Sequence, residues 1–293
     1  MNTGAAGAKA GVAHLGNGAN AINIATREDL GGGLRGGFES QIRFNAQTGD
    51  VNSSGNGNAL FHSINTFISG GFGTARLGKI AEASTCGMDP WGCTGGAALQ
   101  AGVGVSGITG AAAVNNAVSY TTPTVAGFNA SYQTSMTGPT QRTNERETLN
   151  INYANGPLAL TFIDINGSGN SAANAALGAA ITAPADSATS NQAVGASYNF
   201  GVARLSVVNS VSKNAAGATT ADVMSIGATI PMGAYTILAG YYKDSKAAAT
   251  ADTKIAVGAN YALSKRTTLG ADLFKAEAVG AGTGFVIRAR HTF

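Results

Sequence analysis

Charge is what this chain has least of. Only 11% of its 293 residues are Asp, Glu, Lys or Arg, under half the share of an ordinary soluble domain. A surface so poor in charge is ill suited to water. Long apolar runs are missing as well: no segment could cross a bilayer as a helix of roughly 20 apolar residues. Proline is scarce at 6, and the 42 glycines follow no collagen-like repeat. Disorder is excluded, because 44% of the residues are hydrophobic and disordered chains combine high charge with few apolar residues. The net charge of +3 comes without a clustered basic face, so nucleic-acid binding has no support. A chain too uncharged for water, yet without a membrane helix, leaves a closed transmembrane β-barrel as the main candidate.

There are two cysteines, Cys86 and Cys93, and their spacing is neither that of a redox CxxC pair nor that of a zinc knuckle. A local disulfide fits an oxidising compartment; two free thiols are the alternative. Met1 to Gly7 lacks the basic start and apolar core of a secretory signal, so an outer-membrane protein of this sequence is read as a mature form. His14, His62 and His291 have no metal-ligand spacing, and no cofactor is expected. Gly102 to Gly107 matches GxGxxG. It lacks the strand, helix and downstream acid of a dinucleotide site. No catalytic constellation is positioned, and the hydrolase motif GxSxG is absent.

What is present is alternation. Thr148 to Tyr153 and Leu158 to Phe162 flank Ala-Asn-Gly-Pro157, the signature of a hairpin. The pattern recurs at 194–208, 225–242 and 254–274. In the N-terminal half it recurs at 20–45, 61–80 and 116–136. A weak first strand is read near Ala8 to Leu15, and Phe285 to Phe293 is the last. Seven short turns and two terminal strands make sixteen strands, an even number that lets the barrel close. Longer polar segments at 167–192, 213–221, 244–252 and 277–283 alternate with the short turns, as extracellular loops alternate with periplasmic turns. Tyr153, Tyr198, Tyr235 and Tyr261 each lie within two residues of a short turn, where an interfacial aromatic girdle belongs.

Five pieces carry a resemblance: Arg27 to Leu34, Gly71 to Lys79, Asn115 to Tyr120 with Pro123 and Phe128, Tyr261 to Thr267, and Arg290 to Phe293. In this order they resemble the general bacterial porins, in particular those of betaproteobacteria, over most of residues 20–293. The resemblance implies a homotrimer of 16-stranded antiparallel barrels in the bacterial outer membrane, among lipid and lipopolysaccharide. In each barrel the third loop would fold inward to narrow the pore. The whole chain 1–293 would be one barrel, and the constriction loop would be 81–114, following the strand that ends at Ile80.

Between Pro90 and Gln141 there is no Asp, Glu, Lys or Arg. Only Glu82 and Asp89 bring acid to the loop, whereas related porins carry carboxylates there that face wall arginines. Ala21, Ser119 and Thr121 stand where the family places some of those arginines. Alternation puts Arg43, Arg76, Arg204, Arg288 and Arg290 on the lumen face, with Lys79 beside them if its strand bulges. Glu39 and Asp272 are the main lumen acids. The expected function is a general diffusion channel for small hydrophilic solutes and ions with a weak preference for anions, and not an enzyme. A substrate-specific channel, an outer-membrane enzyme and a surface-array or adhesive protein are the competing readings.

Overall fold

A computed structural model describes residues 20–44, 51, 60–92, 113–136, 146–167, 188–246, 252–276 and 283–293. Sixteen strand segments make one antiparallel sheet. They are β1 (Ala21–Ala25), β2 (Glu28–Gly31), β3 (Leu34–Arg43), β4 (Ser63–Gly70), β5 (Gly73–Ala81), β6 (Ala113–Thr121), β7 (Phe128–Ser135) and β8 (Glu147–Asn155). They continue with β9 (Leu158–Asn166), β10 (Ala188–Asn199), β11 (Arg204–Asn214), β12 (Thr219–Met232), β13 (Tyr235–Asp244), β14 (Asp252–Ala262), β15 (Thr267–Ala276) and β16 (Thr283–His291). From β3 onward each strand pairs with the next in the chain. Both β1 and β2 pair with β3, so they are two halves of one strand. The break falls at Thr26, whose carbonyl oxygen lies 2.0 Å from where a Cβ of Gly37 would stand. Only glycine allows that approach. The expected first strand at 8–15 lies outside the described residues.

The seven short turns stand where alternation places them. The first is tighter than the sequence indicates. Glu28, Asp29 and Leu30 continue the strand, and only Gly32–Gly33 turn, at φ 62° and 80°, the left-handed pair a two-residue hairpin requires. At the other end, 213–221 is not a long loop. Asn214 Oδ1 accepts the backbone N–H groups of Ala216 and Ala218 at 3.1 and 3.0 Å, closing a tight turn between β11 and β12. Segment 188–192, read as loop, belongs to β10.

The burial pattern is the reverse of a water-soluble barrel. Leu77, Val194 and Ile287 are 58%, 59% and 65% exposed, while Ser210, Asp272 and Arg288 are each 2% exposed. Apolar side chains on the outside and polar ones inside suit a sheet whose outer solvent is lipid. Ring pairs Phe128–Tyr153, Tyr198–Phe200 and Tyr235–Tyr261, at 4.4 to 4.7 Å, sit at the short-turn end, the position of an interfacial girdle. Among the described residues no helix is long and apolar enough to cross a membrane; the crossings are strands.

Candidate functional site

The interior is organised by the chain that leaves β5. Immediately after Ala81, the carboxylate of Glu82 is fully buried and ion-paired with Arg146. Arg146 Nη2 donates to Glu82 Oε2 at 2.7 Å, and Thr148 Oγ1 donates to Oε1 at 3.1 Å. Arg146 precedes β8, so this contact ties the root of the segment to the wall beyond β6 and β7.

A 3-10 turn, Thr85–Met88, follows. Met88 packs into Ile163, Ile165, Ala193 and Val208 on β9 to β11. Two wall side chains hold its backbone: Arg204 Nη1 donates to the carbonyl of Gly87 at 2.7 Å, and Ser206 Oγ to that of Met88. Asp89 is buried and folds on its own turn, accepting the N–H of Trp91 at 3.1 Å. Pro90 lies on Gly227 of β12, where a Cβ would stand 2.5 Å from the ring.

Trp91 ends this run. Its ring is 4% exposed and packs with Val223, Leu238, Tyr242 and Phe274. Its indole N–H donates to Asp272 Oδ1 at 3.0 Å. Asp272 is in turn bonded twice by Arg288, at 2.6 and 2.5 Å, with both side chains buried. Glycine makes room for this pair: a Cβ at Gly258 would stand 2.1 Å from Asp272 Oδ1, and one at Gly270 2.7 Å from the Arg288 guanidinium carbon. For a segment rooted at β5 to reach β15, the sheet must curl around it.

The wall from β1 to β5 is different. Arg27 and Arg76 flank Glu39, at 2.8 and 3.8 Å, and the Arg27 guanidinium stands 6.0 Å from the Phe67 ring centre. Asn23, Glu39, Gln41, Asn65 and Arg76 line an open recess. Above it, Arg43 Nε donates to Gln41 at 2.6 Å and Lys79 Nζ to the carbonyl of Phe61 at 3.0 Å. The strand does bulge beside Lys79: pairing of β5 with β6 shifts between Gly78 and Ile80. His62, buried just before β4, has its pKa pushed down to about 3 by burial and by the charges of Arg43 and Lys79.

The sequence-predicted residues therefore separate into two groups. Arg43, Arg76 and Lys79 gather with Glu39 on one wall. Glu82, Asp89, Arg204 and Arg288 are engaged in holding segment 82–92. Asp272, expected to face the lumen as a free acid, is buried beneath Trp91. Arg290 is exposed on the inward face of β16, opposite Thr268. Cys86 is disulfide-bonded; Cys93 lies outside the described residues. Sequence reasoning misses Arg27 and Arg146 as site residues. Arg27 is read only as the end of the strand over 20–27, and Arg146 is hidden in a polar run between Glu145 and Glu147.

Comparison with known proteins places this geometry. A family model described as Gram-negative porin matches residues 1–278. The chain is 30% identical over 303 residues to outer membrane porin protein 32 of Delftia acidovorans, covering 92% of this chain and 78% of that one. The anion-selective porin from Comamonas acidovorans matches with a TM-score of 0.72 at 25% identity, covering 95% and 90% of the two chains. A porin variant from Rh. blastica matches at 0.66 and 16% identity, covering 93% and 89%, a likeness of fold.

Proposed function

This chain belongs to the Gram-negative porin family, proteins of the bacterial outer membrane, and on that premise we propose a general diffusion pore that weakly prefers anions. The observation that carries this reading is where charge is neutralised. Glu82 is paired with Arg146, Asp272 with Arg288, and Asp89 is buried in its own turn. Those carboxylates give the lumen little negative field. From β1 to β5, by contrast, Arg27, Arg35, Arg43, Arg76 and Lys79 outnumber Glu28, Asp29 and Glu39, and a water-filled pore selects ions by the sign of its lining. Outer membrane porin of an anion-selective type is among the matched structures, which supports the same sign. The chemistry needed is passage alone, with no catalytic role.

Segment 81–114 acts as the constriction loop, with the tip stiffened by a Cys86–Cys93 disulfide. A homotrimer is the assembly, tested by light scattering in mild detergent. Lipopolysaccharide phosphates would meet Lys243 and Lys275, which the register turns outward beside Met224 and Ile255. Reversal potentials in a potassium chloride gradient test the central claim. The expected potential has the anion sign at low salt and shrinks near 1 M, where the Debye length is roughly 3 Å. A cation-signed potential at low salt would overturn it.

A further inference from the structure

Trp91 is the only tryptophan in the chain and opens a long stretch without charged side chains. Pro90 and Trp91 carry no charge of their own, so this end of the segment meets the wall by packing and by hydrogen bonds that the wall's own groups accept. Trp91 supplies both. A buried indole removes on the order of 150–250 Å² from water, and its N–H meets a carboxylate whose other contacts are already fixed by Arg288. The wall is shaped for this seat. Gly227 leaves space for Pro90, and Gly195 leaves space for Met88, whose Cγ would stand 3.2 Å from a Cβ there.

We infer that Trp91 is the positioning residue that keeps the bore of the channel constant, holding the segment against β12–β15 and out of the space in front of β1–β5. This rests on the channel reading above. Without the indole, the segment stays fixed as far as Met88 by Glu82, Arg204 and Ser206, and Pro90 and Trp91 lose their hold on β12–β15 and can move into that space.

Single-channel recording tests it with three variants. Wild type should show one ohmic level. Trp91→Ala should flicker among several lower levels, with open-channel noise raised several-fold and heat-modifiable gel migration retained. Trp91→Phe keeps the packing but loses the N–H, and should be intermediate. Gly227→Val blocks the Pro90 seat while leaving the tryptophan in place. It should flicker likewise, and its emission should move to longer wavelength as the indole leaves Tyr242 and Phe274. A steady level like that of wild type in both Trp91→Ala and Gly227→Val overturns the inference. If Trp91→Ala fails to fold, Gly227→Val alone decides between the two outcomes. A wild type that carries no current sinks the channel reading instead, and the emission shift in Gly227→Val still reports whether the seat holds the indole.

Discussion

Arg76 and Arg288 both point inward from the same sheet, yet one borders a water-accessible recess and the other is sealed in a pair. Around Arg76 the neighbours are Glu39, Asn65 and Asn23, and its side chain is 29% exposed. Around Arg288 they are Asp272, itself bonded by the indole of Trp91, and Gly270, and its side chain is 1% exposed. The difference lies in whether segment 82–92 covers the wall. Where it does, from β8 to β16, the charged groups are spent on ion pairs, as in Glu82–Arg146 and Asp272–Arg288, or on backbone bonds, as at Arg204 and Asp89. Where it does not, from β1 to β5, unequal charge is tolerated because water screens it. Residue type alone does not decide whether an arginine meets water; the covering segment does.

That contrast breaks most sharply at Asp272. Asp272→Ala leaves Arg288 buried and unpaired, which costs about 3–5 kcal/mol. The folded, heat-modifiable fraction should fall steeply, whereas Arg76→Ala should leave it unchanged. A smaller effect comes from His62, buried within the field of Arg43 and Lys79. Its folded pKa of about 3 lies below the ordinary 6.5, so between these values the unfolded chain binds the proton more readily. Stability is therefore complete above pH 6.5 and declines as pH falls toward 3, by about 1 kcal/mol one unit below 6.5. Denaturant midpoints at pH 7.5 and 5.5 should differ in wild type and coincide in His62→Phe. The smallest effect on stability is expected at Glu39. A partly exposed ion pair contributes under about 1 kcal/mol, so Glu39→Gln should fold normally. Its reversal potential should nonetheless move further toward the anion side, because Arg27 and Arg76 lose their counter-charge. A shift toward cations would show that Glu39 does not face the conducting water.

The short turns are legible in the sequence because Gly, Pro or Asn interrupts an alternation. The faces of β3 and β5 are legible for the same reason, and with them Glu39, Arg43 and Arg76. Strand ends above the lipid band are not. Ser190, Asn191 and Gln192 in β10, and Thr219 and Thr220 in β12, carry no apolar face for lipid, so their alternation disappears and they read as loop. The fates of Arg204 and Arg288 are also not legible. Arg204 is met by the Gly87 carbonyl, Arg288 is sealed with Asp272 beneath Trp91, and the Trp91–Asp272 contact joins residues 181 positions apart. Local pattern says which way a side chain points, not what arrives to meet it.

That same separation orders events in time. Every ladder from β3 to β16 joins strands adjacent in the chain, and such local closures come early because little loop entropy opposes them. The seat for the indole exists only after β12 to β15 have paired and the wall has curved round to face β5. The interior is thus furnished after it is enclosed, and a refolding barrel should gain its strand signal before its single tryptophan finds an apolar surrounding. Emission that moved together with the far-ultraviolet signal would mean that the segment templates the wall it later rests on.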